Sequence, residues 1–277
     1  MARIVSVHAV SHTPVMLNFP GAIPDADREA IFAAFLSVGH AIREAAPEAL
    51  VVVSDDHLHN FFLDNLPAFC IGAAPSYPTP VEHWLKVDRQ VLAGHADLGA
   101  HLIGEAMQSG FDPALSMDLT LDHGIIAPLH LAGVAGGIPV VPVLVNCVQP
   151  PLPTMLRAHE WGRMLGGAIR RFEGVERVSI LATGGLSHDI ATPRMGLLNE
   201  AFDREFLARL AGGDAEALVR YAAEHVHEAG NGAEEIRTWL IAHGAAGGAP
   251  FQTLYYKAVA DWYTGIGLGS WKTGCAR

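Results

Sequence analysis

The sequence has few cysteines, few basic side chains and no long apolar run. Its three cysteines, Cys70, Cys147 and Cys275, are far apart and form no Cys-x-x-Cys pair, which argues against a disulfide framework and a zinc–thiolate site. Eighteen Lys and Arg against 29 Asp and Glu give a net charge of −11, which argues against a nucleic-acid partner. No apolar stretch has the length of a membrane span or a signal-peptide core. We therefore expect a cytoplasmic protein without a membrane partner.

Apolar residues and histidine are abundant instead. Half of the 277 residues are hydrophobic, which is enough to bury a large core, and 15 residues are histidine. Apolar strand-like runs alternate with segments of helical period, a pattern that predicts a central mixed sheet flanked by helices. Because no repeat or long linker interrupts residues 1–277, we expect one α/β domain. Its C-terminal part is predicted to be helical, followed by an aromatic, glycine-rich tail from about residue 246.

The periods of the apolar residues place the individual elements. Strands are predicted at residues 3–10, 49–53, 69–72, 114–121, 139–146 and 177–181. Helices are predicted at residues 25–46, 97–109, 123–131, 155–172, 194–211, 214–227 and 233–245. Residues 73–95 show no clear period. The tail, residues 246–277, is interpreted as a loop-rich segment packed on the body of the protein or on a neighbouring subunit.

Four histidines lie where an apolar run gives way to a turn: His12, His57, His123 and His188. A single histidine in such a place is most often a hydrogen-bonded structural residue. Four at equivalent positions favour a common site, because α/β sheets carry their sites at the carboxyl ends of the strands. Two imidazoles and one carboxylate form the ligand set of mononuclear ferrous oxygenases. The spacing leaves several carboxylates open: Asp55, Asp56, Asp122, Asp189 and the Glu234–Glu235 pair.

Two other chemistries fit the sequence poorly. Ser187 precedes His188, but Gly-Gly-Leu-Ser-His is not the Gly-x-Ser-x-Gly elbow of serine hydrolases, and adjacent residues of an extended chain point to opposite sides. Residues 182–185 have too few glycines for a phosphate cradle, and no lysine follows them. A serine nucleophile and a nucleotide site are therefore not expected.

Five motifs, taken in order, resemble those of the class III (LigB-type) extradiol ring-cleaving dioxygenases. They are Ser11-His12-Thr13-Pro14, then Asp55-Asp56-His57 with Phe61-Phe62 and residues 67–72, then Leu121-Asp122-His123-Gly124, Thr183 to His188, and Glu235-Ile236-Arg237-Thr238-Trp239-Leu240. The resemblance runs from about residue 3 to residue 245. The tail is also similar to family members, through Tyr255-Tyr256-Lys257, Trp262 and Gly265-Ile266-Gly267.

The resemblance implies that His12, His57 and Glu235 bind Fe(II), which selects Glu235 over Glu234. Three protein ligands leave room on the metal for both oxygens of a catechol and for O2. It also implies that His188 is the acid/base residue, since an imidazole with a pKa of about 6.5 can accept and return a proton near neutral pH. His123 is then a second catalytic histidine. For Asp122 two roles stay open: orienting a neighbouring imidazole or capping the helix that follows.

The expected activity is extradiol cleavage of a catechol ring by O2 to an open-chain semialdehyde-type product. We expect a homo-oligomer, and the resemblance implies a small α-subunit that closes the pocket unless the tail does so. A non-catalytic binding or regulatory protein of the same fold would be expected to lack one metal ligand. A zinc-dependent hydrolase using the same pocket would work without oxygen. The motifs do not fix the side chain that reads the ring substituent.

Overall fold

A computed structural model of the chain describes residues 1–273, so Cys275 lies outside the described residues. These residues form ten strands: β1 (Arg3–Val10), β2 (Ala49–Ser54), β3 (Phe69–Gly72), β4 (Ser76–Thr79), β5 (Gln90–Ala93), β6 (Ala114–Ser116), β7 (Val140–Val145), β8 (Arg177–Thr183), β9 (Phe251–Val259) and β10 (Thr264–Trp271). They also form eight α-helices: α1 (Val15–Asn18), α2 (Asp25–Glu44), α3 (Ala96–Gln108), α4 (His123–Leu131), α5 (Met155–Arg171), α6 (Glu200–Gly212), α7 (Ala215–His225) and α8 (Ile236–Ala246).

Eight strands form one mixed sheet, which confirms the predicted fold class. Their order is β6-β3-β7-β2-β8-β1-β10-β9. The four central strands, β7, β2, β8 and β1, are parallel, and antiparallel neighbours adjoin them on both sides. Parallel strands carry their carboxyl ends to one edge of the sheet, here called the carboxyl edge. The segments that follow β1, β2 and β8 therefore start side by side.

Helices cover both faces of the sheet. Strand β2 is buried along its whole length, and its side chains alternate between two hydrophobic cores. Val51 and Val53 belong to the core that contains α3, α5, α6, α7 and α8. Leu50 and Val52 belong to the core that contains α1, α2 and α4. A strand buried on both faces must be apolar at every position, which explains the unbroken apolar run in the sequence.

The helices predicted at residues 25–46, 97–109, 123–131 and 155–172 are confirmed to within two residues at each end. The helix predicted at 194–211 begins later, at Glu200, because Asn199 caps it by accepting a hydrogen bond from the backbone N–H of Phe202. The segment before it, residues 189–199, is irregular. Residues 73–95, which showed no period, contain a hairpin of two four-residue strands, β4 and β5.

The prediction of a loop-rich tail is wrong for residues 251–271, which form the antiparallel hairpin of β9 and β10. Strand β10 pairs with β1 and completes the sheet. Its alternating glycines hid the strand period, and they are needed for space. A Cβ atom on Gly267 would lie 2.7 Å from a methyl group of Leu186, in the segment after β8.

The strand predicted at residues 114–121 is also shorter, since β6 ends at Ser116. It runs parallel to β3, which is antiparallel to β7, so its carboxyl end lies at the opposite edge of the sheet. His123 therefore does not leave a central strand, as the sequence pattern suggested. Residues 117–121 first cross back past Pro78 and Val81, and His123 enters the site as the first residue of α4.

Within residues 1–273, no helix combines the length and the apolar composition that crossing a membrane requires.

Cys70 and Cys147 are buried and carry free thiols. Burial raises the pKa of Cys70 to about 12, so this thiol is unreactive.

His8 is a buried histidine that the sequence did not single out. It lies in the middle of β1, is 4% exposed, and neither of its ring nitrogens has a hydrogen-bond partner. Its neighbours Val7 and Ala9 point into the core of α5 and α8, so the imidazole points to the α2 face. Burial lowers the pKa of His8 from 6.5 to about 4, since the charged form would lose its hydration.

We predict that His8→Leu makes folding less sensitive to acid. The unfolded chain binds a proton at His8 below pH 6.5, whereas the folded protein resists it down to about pH 4. Stability is therefore lost as the pH falls through this window, by up to about 3 kcal/mol, and the variant avoids this loss. Urea denaturation of both proteins between pH 7 and pH 4.5 measures the difference. His130→Leu, at an exposed position of α4, is the control and should leave the pH dependence unchanged; an equal change in both variants would contradict the prediction.

Candidate active site

The carboxyl edge of the sheet carries one cavity of about 320 Å³. Three of its histidines follow central strands: His12 after β1, His57 after β2 and His188 after β8. His123 comes from the start of α4, and Glu235 ends the short 3₁₀ turn before α8. All five residues that the sequence assigned as ligands or catalytic groups line this cavity. The structure thus brings together side chains that are up to 223 positions apart in the chain.

His57 lies at the centre of the cluster. Its Nε2 is 3.4 Å from Nε2 of His12 and 3.4 Å from Oε1 of Glu235. It belongs to two groups of side chains whose ligand atoms all lie within 4.8 Å of one another, one with His12 and His123 and the other with Asp55 and Glu235. Imidazole nitrogens and carboxylate oxygens are ligands of first-row transition metals. This cluster can therefore hold a metal ion.

Asp122 has both of the roles that the sequence left open. Its Oδ1 accepts a hydrogen bond from the backbone N–H of Gly124 and caps α4. Its Oδ2 accepts from the backbone N–H of His57 at 3.0 Å and lies 2.8 Å from Nδ1 of the same residue. A proton held on Nδ1 leaves Nε2 to face His12 and Glu235. This is the arrangement that a carboxylate imposes on a metal-binding histidine.

The charges of the cluster fit a bound cation. Burial lowers the pKa of His12 to about 3, so its imidazole is neutral, and its Nδ1 is buried without a hydrogen-bond partner. Burial opposes ionisation of Glu235, but the neighbouring imidazoles lower the pKa of this carboxyl well below its usual value. Burial also opposes protonation of His57, yet Asp122 and Glu235 raise its pKa well above 6.5. The ionised Glu235 therefore favours a bound cation near the point where its Oε1 approaches Nε2 of His57.

The other candidate carboxylates are engaged differently. Burial raises the pKa of Asp55 well above its usual value, so the site opposes ionisation of this carboxyl, whereas it favours ionisation of Glu235. Asp56 accepts hydrogen bonds from the backbone of residues 59–61 and holds that loop together. Glu234 pairs with Arg237. Asp189 lines the cavity and forms an ion pair with Arg194. Asp122 is committed to Nδ1 of His57, whereas Oε1 of Glu235 faces Nε2 of both His57 and His188.

His188 is held without a strong partner on the cavity side. Its Nδ1 lies 2.8 Å from the carbonyl oxygen of Leu186, and its Nε2 lies 3.7 Å from Oε1 of Glu235. Burial opposes its protonation, but the interactions with Glu235 raise the pKa of His188 above 6.5. Glycines provide the space for the ring, since a Cβ atom on Gly232 would lie 2.1 Å from Nε2. Such an imidazole can exchange a proton with a molecule in the cavity.

Ser187 points away from this chemistry, as the sequence argument expected. Its hydroxyl is fully buried and donates to Oδ2 of Asp203, and its backbone N–H donates to Oδ1 of the same residue. The hydroxyl of Tyr256, in β9, also donates to Asp203. Asp203 therefore fixes the turn that presents His188.

Glu82 is a site residue that the sequence analysis missed. It lies in the connection between β4 and β5, is 3% exposed, and its Oε1 accepts from the backbone N–H of His123 at 3.0 Å. The same oxygen is 2.5 Å from Nδ1 of His123 and 3.2 Å from Nε2 of His59. Glu82 thus orients His123 with Nε2 as the remaining nitrogen. Nothing in the sequence around Glu82 indicates this contact, because His123 is 41 positions away.

The chain is similar in sequence to known proteins of one family. A family model described as the catalytic LigB subunit of aromatic ring-opening dioxygenase matches residues 6–269. Three similar curated proteins are named 2,3-dihydroxyphenylpropionate/2,3-dihydroxicinnamic acid 1,2-dioxygenase. They come from Photorhabdus laumondii (29% identity, 96% of each chain), Cupriavidus necator (30%, 95% of this chain and 96% of that protein) and Paraburkholderia xenovorans (32%, 80% and 83%).

A solved structure shares the fold. It is the crystal structure of an uncharacterized protein from Escherichia coli K12, which aligns with a TM-score of 0.62 over 97% of this chain and 99% of that one. Only 15% of the aligned residues are identical, so the likeness extends to the fold alone.

We predict that Asp122→Asn weakens metal binding about 10- to 100-fold, the usual effect of losing the carboxylate behind a histidine ligand. Asparagine is as good a helix cap as aspartate, so α4 should keep its start, but the amide NH2 cannot accept from the backbone N–H and Nδ1 of His57 as Oδ2 of Asp122 does. Titration of the apoprotein with Fe(II) under argon, or with Co(II) as a spectroscopic probe, measures the affinity. Asp118→Asn, at an exposed position before the same helix, is the matched control. Equal affinities of the two variants would show that Asp122 does not act on the metal site.

Proposed function

The chain belongs to the LigB family of catalytic subunits of aromatic ring-opening dioxygenases, and from this premise we propose that it is an Fe(II)-dependent extradiol dioxygenase. The proposed reaction is cleavage of a catechol ring beside its two hydroxyls by O2, giving an open-chain semialdehyde-type product. The observation that carries the proposal is the convergence of His12, His57 and the ionised Glu235 in a cavity that also presents the unligated His188. The names of the relatives support a dihydroxylated aromatic substrate.

We propose that His12, His57 and Glu235 hold the iron. Bound Fe(II) would supply coordination sites for both catechol oxygens and O2 and a path for electrons between them. The protein's part is to keep the ligands in the required charge state. Asp122 keeps the proton of His57 on Nδ1, and burial keeps His12 neutral. Glu235 adds one negative charge, so the site stays cationic enough to favour a bound phenolate.

His188 is the proposed acid/base residue. Its Nδ1 faces the carbonyl oxygen of Leu186, so the neutral ring carries its proton there and offers Nε2 to the cavity. Nε2 can take the proton that a catechol hydroxyl must lose on binding and can return it later. The glycines around the ring hold this nitrogen close to Glu235 without another protein ligand.

His123 is the proposed second catalytic histidine. Glu82 accepts from its backbone N–H and from Nδ1, which leaves Nε2 as the nitrogen available to the reactants. A carboxylate behind an imidazole fixes its tautomer and its orientation, so Nε2 of His123 is placed to exchange a proton with the reactants during ring opening. Its ring centroid lies 4.2 Å from that of His57, close enough to act on a molecule bound at the same metal.

The tail supports catalysis by the chain without a separate α-subunit. Trp262, Tyr263 and Thr264, at the turn between β9 and β10, line the same cavity. The tail thus forms part of the wall of the pocket within this chain. We propose a homo-oligomer of this chain as the active form, which mass photometry of the purified protein can test.

The direct test is anaerobic reconstitution with Fe(II), followed by oxygen and a panel of catechols. We expect oxygen uptake equal to the catechol consumed and a yellow ring-fission product. Matched samples with Zn(II), or without oxygen, should be inactive. A zinc hydrolase would instead work without oxygen, and a binding protein would bind the catechol without turnover. Either result, or the absence of both oxygen uptake and product, would contradict the proposal.

Two alanine variants separate the proposed roles. His12→Ala should lose iron because it removes a ligand, whereas His188→Ala should keep iron and lose turnover by about 10²- to 10⁴-fold, the usual contribution of a general acid or base. Iron per protein, measured by mass spectrometry, and the turnover number give the two readouts. His130→Ala, an exposed histidine on α4, should keep both. Equal iron loss in His12→Ala and His188→Ala would show that the roles are assigned wrongly.

A further inference from the structure

The cavity has an uncharged part beside the histidine cluster. Its lining includes the apolar side chains of Val15, Ile190, Met195 and Trp262. Trp262 is fully buried, and Ile190 and Met195 are 46% and 48% exposed, which places them at the mouth. A ring bound at the cluster would extend its substituent between the cluster and this mouth. These side chains are therefore placed to contact the substituent.

No Lys or Arg lines this cavity among residues 1–273. Arg194 is close by, but its Nε lies 3.2 Å from Oδ2 of Asp189. Asp189 itself lines the cavity and is 5% exposed. The wall of the cavity therefore contains a carboxylate that is already paired with Arg194. An anionic substituent would have to compete with Asp189 for that arginine.

Outside the histidine cluster, the other polar side chains of the lining do not supply an unpaired cation either. Nε2 of His59 lies 3.2 Å from Oε1 of Glu82, so any positive charge on this ring faces a carboxylate already. Thr13, Tyr263 and Thr264 bring hydroxyl groups, which donate hydrogen bonds but carry no charge. A carboxylate that enters this part of the cavity loses hydration without gaining an ionic partner, which is unfavourable.

Resting on the proposed function, we infer that the substrate is a catechol whose ring substituent is uncharged and apolar, such as an alkyl, alkenyl or aryl group. This differs from the carboxylate-bearing compounds in the names of the relatives. Contact with Ile190, Met195 and Trp262 gains affinity with each methylene removed from water, about fourfold per group. Asp189 adds discrimination against an anion, because it already holds Arg194 in an ion pair that an anionic substituent would have to break.

Three ligands test the inference: 3-propylcatechol, 3-(2,3-dihydroxyphenyl)propionate, which has a chain of the same length, and the methyl ester of the propionate. Calorimetric titration of the Fe(II)-loaded protein under argon gives Kd, and oxygen uptake gives kcat/KM. We expect 3-propylcatechol to have at least a tenfold lower Kd and a tenfold higher kcat/KM than the propionate. The ester, which removes the charge and adds one methyl group, should be closer to 3-propylcatechol than to the propionate in both readouts. Equal or tighter binding of the propionate would overturn the inference.

Lysine variants locate the discrimination. Met195→Lys places a cation at the mouth and should shift the ratio of the two Kd values at least tenfold toward the propionate. Leu197→Lys is the matched control, because Leu197 belongs to the same segment, is 63% exposed and does not line the cavity. It should leave the ratio unchanged, and an equal shift in both variants would contradict a local effect at the mouth.

The two readouts separate this inference from the proposed function. If 3-propylcatechol binds more tightly but no catechol is cleaved in the presence of oxygen, the proposed function fails and the assignment of the pocket stands. If catechols are cleaved but the propionate is bound and cleaved preferentially, the proposed function stands and the inference fails.

Discussion

The site depends on an ionised carboxylate kept out of water. Glu235 is 3% exposed, and an isolated carboxylate in such a place would take up a proton. Its two oxygens are compensated from different parts of the chain. Oε2 accepts from the backbone N–H of Gly185, and Oε1 faces Nε2 of His57 and of His188. The turn after β8, the loop after β2 and the start of α8 must all be in place for this charge to persist.

Parallel strands and two buried carboxylates hold the loops of the cluster in place. The parallel strands β1, β2 and β8 start three loops at one edge, and Asp122 ties the second of them to the start of α4. Asp203 holds the loop after β8 in place, because it accepts hydrogen bonds from Ser187 in that loop and from Tyr256 in β9. Carboxylates behind the site thus position the groups inside it, and their removal would act through geometry before it acted on the chemistry.

Family membership bears on the type of reaction, whereas the composition of the pocket bears on the substrate. The fold and the ligand cluster agree with a ring-opening dioxygenase, but a shared fold does not fix the substrate. The side chains inferred to contact the substituent belong to the segment after His188 and to the turn between β9 and β10, both of which line the cavity. Both lie outside the sheet's parallel centre, where side chains can change without disturbing the cluster.

The strands that lead into the site and the positions of His12, His57 and His188 could be predicted from the sequence, because each depends on a local signal, an apolar run that ends in a turn. The five-motif resemblance added Glu235. The parallel pairing of the central strands required the tertiary structure, and so did the contrast between Asp55, whose ionisation burial opposes, and Glu235, whose ionisation the imidazoles favour. The tertiary structure also brought Glu82 to His123 and made strands of the glycine-rich tail. These outcomes depend on neighbours distant in the chain: the charge of a buried group and the pairing of an edge strand are set by what packs against them.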